Sequence, residues 1–296
     1  MKDYIIRGMD QDQQIKIGII HAPMVVEEGR VRHNLSPTAT AALGRALCGG
    51  LLMAGYLKNP KDSLSIHVDG DGDIGKILVT GKNDGKIKGY VTNPNANAPL
   101  REDGKLDVGR IVGSSGHLTV VMDLGMKEPY VGQVPLVNGE IAEDLANYFL
   151  MSEQVPSAIS LGVMIDKEGK VTEAGGFLIQ RLPGASDEVI LRLEEKVKEL
   201  PPITKYFEMG RTPEDLFHEL LPNVEILERQ EVSFSCECNR EKVKDSLLSL
   251  GYEQLDEILK EDKKAELTCY FCGDVYQFNE EELEDLVKKS KDINKK

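Results

Sequence analysis

The segments 235-SCECN-239 and 268-TCYFCGD-274 carry four of the chain's five cysteines. Cys236 and Cys238 lie two apart, Cys269 and Cys272 lie three apart, and 30 residues separate the pairs. A zinc site needs four ligands converging tetrahedrally, and two close pairs supply them at little cost in chain entropy. No histidine follows His218, so this end of the chain offers a four-thiolate site. Gly273 follows the second pair, and glycine there permits the left-handed backbone that turns N–H groups toward sulfur. The flanking AEL and VYQF read as the strands of a knuckle. NREKVKDSLLSLG and YEQLDEILKED read as two helices, and Asn279 with Glu282 as the capping box of a last helix. Residues 232–296 are therefore expected to be a small module built around one metal ion.

Two roles are open to such a site. It is either a staple that holds a small acidic module together or a centre that responds to oxidation. The first pair is Cys-X-Cys rather than Cys-X-X-Cys. Disulfides prefer Cα separations of roughly 4.4–6.8 Å, which a Cys-X-X-Cys turn reaches easily. Two residues of extended chain span about 6.6–7 Å, so Cys236–Cys238 needs a bend. Both pairs can still close internally if the metal leaves. Structural zinc contributes on the order of 10–16 kcal/mol near neutral pH, whereas a core of fewer than ~70 residues supplies about 3–5 kcal/mol. Loss of zinc is expected to unfold residues 232–296.

Upstream, residues 186–230 read as helical. SDEVILRLEEKVKEL starts at a Ser186 cap and sets Ile190, Leu193, Val197 and Leu200 on one stripe. PPITKYFEMG ends at Gly210, and TPEDLFHELLP has a Thr212 cap, Pro213 in the first turn and a stop at Pro222. Helices this short are marginal alone and depend on docking. Residues 186–231 are thus expected to be a metastable helical linker that could follow the metal module into disorder.

Residues 1–185 carry 22 acidic and 19 basic residues, against 28 and 17 in residues 186–296. The composition changes at RLPGASDE, where Pro183 and Gly184 are breakers. Before that point YIIRG and IKIGII read as a hairpin. Ser36-Pro37 opens a helix to about Leu57, and LSIHVDG, KILVT, KIKGYVT, HLTVVMDL and YVGQVPLV read as strands. GEIAEDLANYFLMSEQ reads as a helix, and ISLGVMID with VTEAGGFLIQ as a closing hairpin. Strand follows strand with few helical crossovers, so residues 1–185 are expected to form an α+β domain with largely antiparallel sheets.

The net charge of −14 disfavours nonspecific binding to nucleic-acid phosphates. Residues 232–296 hold 16 acids against 11 bases, which argues against a nucleic-acid-binding zinc ribbon. The most membrane-like run, residues 39–57, contains Arg45 and several glycines and reads as a buried helix. MKDYIIRGMDQD has charge at once and no apolar h-region, so no export signal is expected. A reducing cytosol is the expected compartment, where paired cysteines suggest metal or redox chemistry. DGDGDIG (residues 69–75) is followed by a strand pattern and reads as a turn, not a dinucleotide or calcium loop. GSSGH around Ser114, Ser115 and His117 lacks a nucleophile elbow, His33 reads as a packed helix end, and Cys48 as buried and inert. No convergent acid, base or nucleophile stands out in residues 1–185. An enzyme carrying a zinc staple remains the alternative there.

RHNLSPTATAALGRAL, VTNPNA, GKLDVGRIVG, DLGMKEPYVGQVPLVNGEIAEDLANYFLMSEQVPSA and AGGFLIQRLPGA, together with CECNREK and TCYFC, resemble in order the segments of the bacterial redox-regulated heat-shock chaperones, the thirty-three-kilodalton chaperonin family. The resemblance runs end to end. It implies a holdase rather than an enzyme. The resemblance also implies a cycle of expected steps, in which the reduced form binds one Zn2+ through Cys236, Cys238, Cys269 and Cys272 and is inactive as a chaperone. Hypochlorite, or peroxide with unfolding stress, then forms Cys236–Cys238 and Cys269–Cys272 disulfides and expels zinc. The module unfolds, the linker is destabilised, and the oxidised form dimerises. It holds unfolding proteins without ATP until ATP-dependent foldases take over, with no role for nucleic acid or membrane. Because the Cys-X-X-Cys loop closes with less strain, Cys269 and Cys272 are expected to oxidise first.

Overall fold

The computed structural model describes residues 2–221 and 224–293 and divides into two compact units, Met1–Ser235 and Cys236–Lys296. In the first unit, alternating apolar residues pair β1 (Tyr4–Asp10) with β2 (Ile15–His21) as the expected hairpin. The Asp10 carboxylate closes its turn by accepting the Gln14 and Ile15 N–H groups at 2.7 and 2.6 Å. After α1 (Pro23–His33) comes α2 (Pro37–Ala54), capped by the Ser36 hydroxyl, which accepts the Ala39 N–H at 3.1 Å. The chain then runs through β3 (Ser63–Gly70), β4 (Lys76–Lys82), β5 (Lys86–Val91), α3 (Val108–Val112), β6 (Gly116–Asp123), β7 (Tyr130–Pro135), α4 (Ala142–Met151), β8 (Ser157–Ile165) and β9 (Val171–Arg181). Helices α5 (Asp187–Glu199), α6 (Ile203–Glu208) and α7 (Pro213–Leu220) and strands β10 (Val224–Glu231) and β11 (Ser233–Phe234) complete the unit.

Two sheets result, in the orders β10-β1-β2-β9-β8 and β11-β5-β4-β3-β6-β7. Every pairing in them is antiparallel except β11 with β5, so the fold is α+β with antiparallel sheets. Helix α2 touches β3, β4 and β5 of one sheet and β2, β8 and β9 of the other, and nearly all of it is buried. The run that looked membrane-like is therefore the core helix. Its charge, Arg45, is paired with Glu140. No described helix is long and apolar enough to cross a membrane.

The pleat of the five-stranded sheet separates two cores. Ile5, Ile20 and Leu178 join the α2 core, while Ile6, Ile17, Ile19, Phe177 and Ile179 point the other way. That second face is covered by Leu193 of α5, Ile203, Tyr206 and Phe207 of α6, and Leu216, Phe217 and Leu220 of α7. The expected stripe of α5 is the part that packs there, with Leu193 buried and Ile190, Val197 and Leu200 partly so. Both caps also form. Ser186 accepts from Val189 at 3.4 Å, and Thr212 and Asp215 make a reciprocal box.

Three features depart from the sequence reading. VEILERQE, grouped with the helices of 186–231, is the edge strand β10. Its pairing with β1 overrides the helix propensity of its Glu, Leu, Arg and Gln residues. The expected module start at residue 232 falls inside the first unit. Val232 N–H donates to the Asp3 carbonyl, and Ser233 and Ser235 N–H groups donate to the Gly85 and Ile87 carbonyls, at 2.8–3.0 Å. Helix α1 was not anticipated, because Ala22 at its N-cap provides no side-chain signal.

In the second unit, α8 (Arg240–Leu248) and α9 (Tyr252–Glu261) precede the hairpin β12 (Ala265–Thr268) and β13 (Val275–Phe278), and α10 (Glu280–Ile293) follows. Asn279 and Glu282 form the anticipated box, at 3.0 and 3.2 Å. The core consists of Leu247, Leu255, Phe278, Leu283, Leu286 and Val287.

Candidate metal centre

The β12–β13 hairpin turns through Cys269–Asp274. The Gly273 N–H donates to the Cys269 carbonyl at 2.8 Å, and the Cys269 N–H donates to the Asp274 carbonyl at 2.9 Å. Gly273 has φ of 75°, the left-handed conformation that a side chain disfavours. The turn aims the Phe271 and Cys272 N–H groups at the Cys269 sulfur. Burial raises the pKa of that thiol, but these donors and the neighbouring thiols together bring it below the usual cysteine value. Cys272 is buried, and its thiol is pushed up by desolvation above all, with the Asp274 N–H opposing and the neighbouring thiols adding to the rise.

Cys236 and Cys238 arrive on the segment leading into α8, whose N-cap is Asn239. All four Sγ atoms lie within 4.8 Å of one another. Cys236 Sγ is 3.8 Å from Cys269 Sγ, and Cys238 Sγ is 3.1 Å from Cys272 Sγ. Ligands on a tetrahedral ion with bonds of about 2.3 Å sit about 3.8 Å apart, so the cluster matches the dimensions of a four-thiolate site. Among the described residues no other group of three or more His, Cys, Asp or Glu side chains converges this way.

Further side chains support the cluster without having been singled out from the sequence. The Tyr276 hydroxyl stands 3.2 Å from Cys238 Sγ. Arg240 donates to the Gln277 carbonyl at 2.7 Å and to Glu282 at 2.6 Å, and lies 4.4 Å over the Phe278 ring. It thereby ties the start of α8 to β13 and α10. Period-two alternation puts Tyr276 and Phe278 on one face of β13, the only sequence signal that could have marked the tyrosine.

The remaining motifs fall where a bland reading puts them. DGDGDIG is the β3–β4 connection, and a strand rather than a helix follows it. His33 closes α1 with its ring 6.4 Å from Phe234. The Ser115 N–H donates to Asp71, and His117, the second residue of β6, is exposed. Cys48 is fully buried in α2, and burial raises its thiol pKa.

Fold and cluster together define an α+β protein whose second compact unit carries four converging thiols that could hold a metal ion. The Hsp33 protein family profile matches residues 3–279. Similar chains include the 33 kDa chaperonin of Geobacillus sp. (strain WCH70), 43% identical over 97% of both chains. That of Lactobacillus helveticus (strain DPC 4571) is 44% identical over 99% of both. The crystal structure of the 33 kDa chaperonin from Thermotoga maritima superposes with a TM-score of 0.91 at 41% identity, covering 99% of this chain and 100% of that one. The chain belongs to the Hsp33 family of heat-shock chaperones.

Proposed function

We propose that this chain is a redox-controlled holdase, inactive while its four clustered thiols are reduced and active once they are oxidised. One observation carries the reading. The four thiols converge within 4.8 Å inside a unit whose enclosed core, among the described residues, is six apolar side chains. A core that small needs a cross-link. Zn2+, one ion per chain, would be held by Cys236, Cys238, Cys269 and Cys272 and would supply that cross-link. Each pair of thiolates reacting with one hypochlorous acid gives a disulfide, chloride and hydroxide; with hydrogen peroxide it gives a disulfide and two hydroxides. Two such steps consume all four metal-binding thiolates.

The pairing proposed is Cys236–Cys238 and Cys269–Cys272, with zinc leaving as the bonds form. The module then unfolds, and because its chain continues directly from β10 and β11, the loss extends to the linker. The functional division proposed is a domain of residues 1–185, a linker of residues 186–231 and a redox module of residues 232–296, of which residues 232–235 are anchored in the first unit. The second core supports the consequence. Once α5–α7 lift away, Ile6, Ile17, Ile19, Phe177 and Ile179 form an apolar sheet face able to take up unfolding polypeptides. The oxidised form is a homodimer in the cytoplasm that holds clients without ATP and passes them to ATP-dependent foldases. The chain is not an enzyme in this reading.

Stepwise hypochlorite titration tests it, with released zinc read by a chelating dye and protease cleavage sites mapped at each step. About one zinc per chain should leave, with new cleavage first in residues 236–293 and then in residues 186–231. Zinc loss with a linker that stays protected contradicts the switch and leaves a structural staple.

A further inference from the structure

The α2-covered face of the five-stranded sheet carries a polar cluster that the chaperone reading does not use. Arg7 on β1 stands opposite Gly18 on β2, and Lys16 lies two residues before Gly18, on the same face. Tyr56, just beyond the C-terminus of α2, lies across Gly18. A Cβ on that glycine would stand 3.3 Å from the Tyr56 hydroxyl. The Lys16 ammonium sits 3.5 Å from the centre of the Tyr56 ring. The Arg7 guanidinium lies flat against Gly55, where a Cβ would come within 1.9 Å of it.

We propose that Arg7, Lys16 and Tyr56 form a binding site for a small inorganic anion. Arg7 is 6% exposed, and two of its nitrogens donate to Glu228 at 2.8 Å and Gln230 at 2.9 Å on β10. Its Nε and the Tyr56 hydroxyl are both buried without a hydrogen-bond partner. Buried polar groups are rarely left so, and an unseen water or ion is one standing explanation of such an atom. Lys16 has no carboxylate against it among the described residues, and burial holds its pKa below the usual lysine value. The cluster thus has two cations, one carboxylate whose side chain is half exposed, and three donor groups with unused capacity. Water can satisfy the donors but leaves the surplus charge; an anion satisfies both. Because Arg7 is the clamp between β1 and β10, an anion on its remaining nitrogen also steadies that strand.

The test uses the full-length reduced protein. Thermal unfolding is followed in potassium chloride, bicarbonate or phosphate, with ionic strength held constant by a bulky sulfonate salt. At least one of the three should raise Tm saturably. Tyr56→Phe, which keeps the ring under Lys16, should weaken the midpoint about tenfold. Lys16→Met should abolish the response, and Lys127→Met on a distant exposed loop should leave it intact. A Tm that follows ionic strength alone, a Tyr56→Phe midpoint equal to that of wild type, or a saturable shift that survives Lys16→Met, overturns the proposal.

Discussion

Phe217 of α7 reaches the sheet at Gly8, where a Cβ would fall 2.4 Å from the ring and 2.1 Å from the Glu225 carbonyl of β10. One methyl group there pushes on α7, one of the helices that cover the second core, and on β10, the edge strand beside β1. Gly8→Ala is therefore expected to loosen the α7 and β10 packing in the reduced protein, at a cost of about 1–3 kcal/mol for overpacking. It should also give partial holdase activity and dye-accessible apolar surface before any oxidation. A reduced Gly8→Ala protein as silent as wild type would contradict the idea that this cover restrains activity. Asp3 makes a different prediction. Its carboxylate accepts the Val25 N–H at 2.6 Å, yet burial raises its pKa to about 6, with that bond and His21 opposing. A carboxyl with a raised folded pKa binds more protons folded than unfolded. Its contribution is therefore fully present below pH ~4 and lost as pH rises through about 6. Denaturant titrations should show this as a decline of about 1–3 kcal/mol across that window. Asp3→Asn should flatten it; an unchanged pH slope in the variant would rule out Asp3 as its source.

At the scale of elements, the linker holds by caps and a few large side chains rather than by length. Thr212→Ala removes the capping box of α7 and should cost about 1 kcal/mol. If the linker is the switched element, that variant should reach full activity at a lower hypochlorite dose than wild type. The two cysteine pairs differ too. Strain favours Cys269–Cys272 as the first disulfide, so mass mapping of partly oxidised protein should find it alone. Cys236–Cys238 alone would reverse the order, and a Cys236–Cys269 or Cys238–Cys272 bond, between sulfurs 3.8 and 3.1 Å apart in the cluster, would refute pairing within each motif. Local signals made much of this legible. The Ser36, Ser186, Thr212 and Asn279 caps, the knuckle glycine and the α5 stripe depend only on neighbours in sequence. β10 and the Arg7–Tyr56–Lys16 cluster were not legible. A charged edge strand is specified by its partner β1, and residues 7, 16 and 56 meet only after the sheet and α2 pack.

The whole molecule is a small unit that carries the four thiols and a larger one whose apolar sheet face is covered by short helices. The decisive experiment follows light scattering of an unrelated unfolding protein in the presence of this chain, either reduced and zinc-loaded or hypochlorite-treated, with released zinc read in the same samples. Suppression of aggregation only after oxidation, with about one zinc released per chain, is the predicted result. Release of zinc while aggregation proceeds unchanged would contradict the account and reduce the thiol cluster to a structural staple.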